Sequence, residues 1–316
     1  MLEYIHICRP SHWLKNIFIL FGHAVAAVLV YQLDLTTAQL TAAALSLIPA
    51  CFIASANYIL NEILDAPFDA LHPTKKNRGI PAGKVKVSIL WLIMAALIVV
   101  GFAMSFALFN WAYTAWLAAL LVSGIVYNIP PIRLKDRVYF DVIAESFNNP
   151  IRLGLGYYAL VPPDGPLPPV SIVLAWWSFG GLLMTGKRYA EYRFIGCDEL
   201  SAKYRKSFEH YNQRRLIIAM ITYANIFCFC TGIAMTSYPL LNNLVFIFPF
   251  IIIAIILYFR HAMSEVGAQL EPEELLKNPW IIVITILISL LSLWLLTTDV
   301  DLIGMFHLMN PNHLGE

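Results

Sequence analysis

Charge is what this sequence has least of. Asp, Glu, Lys and Arg make up 13% of its 316 residues, about half the share usual in a soluble domain, and this excludes an ordinary water-soluble enzyme. With 21 Lys and Arg against 20 Asp and Glu, the formal net charge is +1, so no basic excess argues for nucleic acid. Cysteine is scarce too: Cys8, Cys51, Cys197, Cys228 and Cys230 show no metal-ligand spacing. Most lie in or beside apolar segments, where a free thiol packs as a small hydrophobe. Glu3, His6, Arg9 and His12 precede any long apolar run, a pattern unlike a cleavable signal peptide. Neither a polar domain nor a low-complexity tail is evident.

What is abundant is apolar residues, at 59%. A helix needs about 20 of them to cross a bilayer core, and nine segments qualify: 15–32, 39–64, 88–109, 111–129, 139–160, 170–188, 214–236, 241–259 and 279–298. They predict an all-α integral membrane protein, a single domain over 1–316 with nine transmembrane helices. The fifth segment is the least apolar, because it carries Asp141, Glu145 and Arg152. With nine spans, every Lys and Arg except Arg152 falls on one face. Arg9 and Lys15 lie at the N-terminus, Lys75, Lys76, Arg78, Lys84 and Lys86 after the second span, and Arg133, Lys135 and Arg137 after the fourth. Lys187, Arg188, Arg193, Lys203, Arg205, Lys206, Arg214 and Arg215 follow the sixth, and Arg260 and Lys277 the eighth. The positive-inside rule makes that face cytoplasmic. Function is expected there, with the N-terminus on the same side.

The second segment ends in NYILNEILDAPFD, residues 57–69. Asn57, Asn61, Asp65 and Asp69 stand four apart, which places them on one helical face drifting about 40° per step. Glu62 lies about 100° from Asn61. Pro67 is expected to kink or loosen the helix and leave Asp69 on the loop. A solvated helix end is the plain reading. Carboxylates clustered with Asn also suit Mg²⁺, which takes one or two carboxylates plus substrate phosphates. The following loop, His72-Pro-Thr-Lys-Lys-Asn-Arg78, is either an ordinary basic loop or a phosphate clamp.

Three more constellations carry polar chemistry. Asp141, Glu145, Asn148 and Arg152 fall within about 60° on a helical wheel, as a structural network or as substrate contacts. In Lys187-Arg-Tyr-Ala-Glu191, Lys187 and Glu191 can pair at i,i+4, leaving Arg188 to meet an anion. Arg9-Pro-Ser-His-Trp-Leu-Lys-Asn16 reads equally as an interfacial anchor around Trp13 and Lys15.

These motifs resemble the UbiA superfamily of intramembrane prenyltransferases over roughly residues 6–215. Its NDxxDxxxD motif appears as Asn61-Glu62-Ile-Leu-Asp65-Ala-Pro-Phe-Asp69, with Glu62 in place of Asp, and Tyr127-Asn-Ile-Pro-Pro-Ile-Arg-Leu-Lys135 is similar to the family's loop before its fifth helix. The match is closest to the decaprenyl-phosphate phosphoribosyltransferase branch. That branch has an RPxxWxKN start (Arg9, Pro10, Trp13, Lys15, Asn16), an HPTKxxR loop (His72 to Arg78), KRxxE (Lys187, Arg188, Glu191) and later Ser207 and Tyr211. Its Asp and GFxLR pattern aligns Asp141 and Arg152, with Asn148-Asn149 replacing Gly-Phe.

The resemblance implies a UbiA-like helical bundle with a cytoplasmic-face active site in a bacterial inner membrane. It implies an Mg²⁺-dependent enzyme moving a phosphoribosyl group from phosphoribosyl pyrophosphate to a polyprenyl phosphate. Asn61, Glu62, Asp65 and Asp69 would hold the metal, and Lys187 and Arg188 would join Asn61, Asp65 and Asp69 as catalytic residues. Lys15, Lys75, Arg78, Lys135, Asp141, Arg152 and Glu191 would contact substrate phosphates or sugar. Where other members carry a second acidic motif, Lys187 and Arg188 suit a donor with an extra phosphate. The alternatives are a prenyltransferase acting on an aromatic or other small acceptor, and a transporter or non-catalytic lipid-binding protein. Against transport, no inverted repeat is obvious. A homo-oligomer is compatible with the sequence.

Overall fold

The computed structural model describes residues 2–70, 75–195, 206–264, 275 and 278–298, and no strand occurs among them. In chain order the helices are α1 (Leu2–Cys8), α2 (Ile19–Leu29), α3 (Thr37–Asp69), α4 (Val87–Leu108), α5 (Trp111–Asn128), α6 (Phe140–Ser146), α7 (Asn148–Leu160), α8 (Val170–Ile195), α9 (Gln213–Ser237), α10 (Phe248–Ala262) and α11 (Pro279–Thr297). Longer 3-10 helices, Pro10–Phe18 and Pro239–Ile247, lead into α2 and α10. Among the described residues eight helical stretches are long and apolar enough to cross a membrane: Leu2–Leu29, α3, α4, α5, α8, α9, Pro239–Ala262 and α11. The protein is an integral membrane protein built from helices.

The expected fifth span is where sequence and structure part. Segment 139–160 is two helices, α6 and α7, meeting at Phe147. Seven and thirteen residues give about 10 and 20 Å of helix at 1.5 Å per residue, each short of a bilayer core of about 30 Å. The interruption is a single residue: Phe147 keeps right-handed dihedrals (φ −60°, ψ −20°), its N–H bonds to Ile143 O at 3.1 Å and its carbonyl accepts from Ile151 N at 3.2 Å.

The chain divides into two compact units, Met1–Pro168 with Arg205–His210, and Pro169–Tyr204 with Tyr211–Glu316. In the first, α3 is the central element. Its 33 residues make about 50 Å of helix, several turns more than a bilayer core requires, and the surplus carries the acidic stripe. Thr36 and Gln39 form a capping box at its start, satisfying backbone donors that the helix leaves open. Pro67 does not end the helix as its ring chemistry suggested: α3 continues through Asp69, and the Ala70 N–H bonds to Ala66 O. Proline removes one backbone donor, and the neighbouring turn bonds persist.

Close helix contacts position the rest of this unit. A Cβ on Gly22 would overlap the carbonyl oxygen of Leu153, and one on Gly156 would overlap that of Ile19. Only glycine lets α2 and α7 approach so closely, and that crossing carries the Pro10–Phe18 turns against α7. Asn110 caps α5 by accepting from Tyr113 N at 2.9 Å, and its Nδ2 donates to Tyr158 O at 2.8 Å, tying α5 to the end of α7.

In the second unit α8 packs along α9, where Gly181 leaves room for the Tyr223 ring. Tyr258 donates to Leu183 O at 2.8 Å, directly over Gly186. Arg193 donates to Met263 O and Ser264 O, satisfying carbonyls that the end of α10 leaves open.

Candidate active site

The last turns of α3 present oxygen ligands, and basic residues from three other segments converge on them. Asn61 donates to Asn128 Oδ1 at 2.6 Å. Asn128 sits at the C-terminal end of α5 and is itself held by a bond from its Nδ2 to Gly124 O at 2.9 Å. Lys135 donates to the same Asn128 oxygen at 3.0 Å and to Asp65 Oδ1 at 2.5 Å. Arg133 reaches Asp65 Oδ1 at 3.0 Å and Asp136 at 2.9 Å, with its guanidinium 5.0 Å from the centre of the Phe68 ring. One step further along the stripe, Arg78 pairs with Asp69 at 2.7 Å and stands 3.7 Å from Glu62. Arg9 completes the set at 3.2 Å from Glu62.

Glu62 and Asp69 are buried, and charges removed from water demand partners; each has a guanidinium. Lys135 is also buried. Burial pulls its ammonium below the ordinary lysine value and nearby Arg133 adds to that, while the Asp65 carboxylate pulls the other way. Backbone strain accompanies this arrangement. Arg9 and Arg133 both occupy the left-handed region, at φ 49° and 32°, which side-chain-bearing residues seldom adopt. Both direct guanidinium groups at the stripe.

Asn61, Asp65 and Lys135 therefore form one cluster through Asn128, and Glu62, Asp69 and Arg78 a second on the same end of α3, while the other residues singled out by sequence fall elsewhere. His72, Pro73 and Thr74 lie outside the described residues, as does the side chain of Lys75. Lys15 lies in the Pro10–Phe18 helix next to Asn16. Asp141 is fully buried and accepts from Ser207 at 3.2 Å; Glu145 accepts from Tyr127 at 3.3 Å, and Asn148 from Ser123 at 3.0 Å. Arg152 turns to Asn16 at 3.1 Å. The four residues expected to share one face thus engage separate partners. In the second unit, Arg188 is buried and pairs with Glu191 at 3.1 Å, three residues along the same helix.

Three site residues escaped the sequence reading as individuals: Arg9, Arg133 and Asn128. The signal available was the Tyr127–Lys135 loop that resembles the family's, which holds Asn128 and Arg133 but not Arg137, and the RPxxWxKN start, which holds Arg9; neither spelling says which carboxylate these residues meet.

The same geometry tests for a divalent cation. Among the described residues no group of three or more His, Cys, Asp or Glu gathers around one metal position, so an all-protein cage is absent there. Arg133 and Lys135 both take Oδ1 of Asp65, and its Oδ2 has no hydrogen-bond partner among the described residues. Asn61 uses only its amide nitrogen on Asn128. Oxygen donors with open positions on one helix face fit Mg²⁺ completed by substrate phosphates.

A model of the UbiA prenyltransferase family matches residues 16–271. The chain belongs to that family. Among its UbiA-type relatives is a decaprenyl-phosphate phosphoribosyltransferase of Mycolicibacterium smegmatis, 30% identical over 244 residues that cover 76% of this chain and 72% of the relative. Another protein of that name, from Mycobacterium tuberculosis, is 28% identical over 227 residues, 71% of each chain. A UbiA homologue from Archaeoglobus fulgidus, solved with DMAPP and Mg²⁺, superposes with a TM-score of 0.68 over 94% of this chain and 99% of that one, at 17% identity. The helical architecture is therefore the UbiA fold, and the two sequence relatives carry the name of a phosphoribosyltransferase.

Proposed function

We propose that this UbiA-family protein transfers a phosphoribosyl group from phosphoribosyl pyrophosphate to a polyprenyl phosphate, with its α3 stripe as the donor site. The observation that carries this reading is the gathering of four cations at the stripe: Arg9, Arg78, Arg133 and Lys135, paired with Glu62, Asp65, Asp69 and Asp136. A donor bearing a 5-phosphate as well as a diphosphate can engage more of these cations than a prenyl diphosphate, which has less charge to place. The names of the mycobacterial relatives support the same choice.

Asp65 and Asp69, with Asn61, would hold Mg²⁺, which when bound neutralises charge on the departing pyrophosphate. The chain's own cations do the rest. Arg78, Arg133 and Lys135 can exchange their carboxylate partners for phosphate oxygens, and fork-like guanidinium groups orient phosphate better than a point charge. The new bond joins a lipid phosphate oxygen to the anomeric carbon as the bond from that carbon to pyrophosphate breaks. The phosphate nucleophile is already ionised near neutral pH, so no general base is needed. Lys187, Arg188 and Glu191 keep only the phosphate-binding role that their motif implies. In this reading the N-terminus and the loops after α3 and α5 face the cytoplasm, and α6 with α7 completes a nine-crossing topology.

The test is donor choice by purified protein. With Mg²⁺ and farnesyl phosphate it should release pyrophosphate from phosphoribosyl pyrophosphate and form lipid-linked phosphoribose, and chelation should stop it. A better yield from geranylgeranyl diphosphate and an aromatic acceptor would replace this reading with prenyl transfer. Turnover of neither donor would leave lipid binding or transport.

A further inference from the structure

Arg152 is a cation buried among neutral groups. It lies on α7 with 8% of its surface exposed. Its Nε donates to Asn16 Oδ1 at 3.1 Å, and its Nη1 reaches Asn148 O at 3.4 Å. No carboxylate among the described residues stands within ion-pairing distance of it. Its Nη2 has no hydrogen-bond partner there either. Two of five guanidinium donors are thus used, both by neutral oxygens.

The surroundings are built to hold the group in place. Asn16 Nδ2 donates to Cys51 Sγ at 3.2 Å, which turns Asn16 Oδ1 toward the guanidinium. The close α2–α7 crossing at Gly22 and Gly156 fixes the backbone on both sides. Each of the carboxylates Glu62, Asp65 and Asp69 is committed to other cations. A buried charge left without a counter-charge costs several kcal/mol, and an ionisable residue within apolar helices marks a ligand or ion path. An anion that arrives with its own apolar tail removes that cost and suits a helix interior better than a soluble, multiply charged one.

We propose that Arg152 binds the phosphate of the lipid acceptor, as a site separate from the donor stripe on α3. The ligand chemistry is a phosphate monoester, and its source is a membrane lipid rather than free phosphate. This rests on the acceptor named under the proposed function, but the test reads binding rather than turnover and so fails independently of it.

Farnesyl phosphate, farnesol, inorganic phosphate and phosphoribosyl pyrophosphate are titrated against detergent-purified wild type, Arg152→Gln and Arg152→Lys. Native mass spectrometry or thermophoresis supplies the readout. Loss of a charged hydrogen bond should weaken farnesyl phosphate binding about 10- to 150-fold in Arg152→Gln. Arg152→Lys should recover part of that loss, and phosphoribosyl pyrophosphate should bind all three alike. Inorganic phosphate competing as well as farnesyl phosphate would refute the lipid source. Failure of the wild type to prefer farnesyl phosphate over farnesol, or unchanged binding in folded Arg152→Gln, would overturn the site. A second variant guards against misfolding. Asn16→Asp supplies the missing counter-charge without removing the guanidinium, so it should raise the melting temperature of ligand-free protein and lower farnesyl phosphate affinity together. A rise in melting temperature with undiminished affinity means that Arg152 is structural, and the proposal fails.

Discussion

Replacing Lys135 with Met tests the link between the α5 end and the acidic stripe. The ammonium is buried and donates to Asp65 at 2.5 Å and Asn128 at 3.0 Å. Removing it leaves Asp65 with Arg133 and Asn128 Oδ1 with Asn61. Breaking a fully buried pair costs about 3–5 kcal/mol. Here the Asp65 side chain is 24% exposed and keeps one cation, so a single charged hydrogen bond, about 1.5–3 kcal/mol, is the better measure. For a chain of this size that corresponds to a fall in melting temperature of roughly 2–5 °C, read in detergent by differential scanning fluorimetry. The double variant Lys135→Met/Asp65→Asn should lose less than the two single losses added together, by about 1 kcal/mol or more, because both remove the same contact. Strict additivity, or a Lys135→Met melting temperature within about a degree of wild type, would refute the network as drawn.

Other expectations follow from the same geometry. Asp65→Asn and Asp69→Asn should each abolish phosphoribosyl transfer while the protein stays folded, whereas Glu62→Gln, which sits between Arg9 and Arg78, should cost stability before turnover; full activity in Asp65→Asn contradicts the metal role. Gly156→Ala would force a methyl group into the Ile19 carbonyl and should destabilise by about 1–3 kcal/mol, seen as a lower melting temperature, with no change expected from Gly232→Ala, where nothing lies near. Single cysteines near Lys135 and Gly165 should label from opposite sides of sealed vesicles, and equal labelling would reverse the topology on which the donor site's orientation depends.

Membrane residence and helical class were legible in the residues alone, because a bilayer core imposes a length and polarity that composition reports directly. The face shared by Asn61, Asp65 and Asp69 was equally plain, since helical periodicity needs no knowledge of partners. Motif spelling carried the family as well. Tertiary structure decided which cation meets which carboxylate. The loop motif ending at Lys135 contains Arg133, but nothing in its spelling pairs that residue with Asp65; the contact is made from a left-handed turn at Arg133. It decided that Pro67 leaves α3 intact, an outcome set by the turn bonds on either side rather than by local propensity. It also decided the fate of two arginines. Arg188 finds Glu191 three residues along its own helix, while Arg152, beside two acids on a helical wheel, ends against Asn16, 136 residues away along the chain. Pairing of charges is a matter of distance in space, and periodicity along one helix says nothing about what the next helix brings.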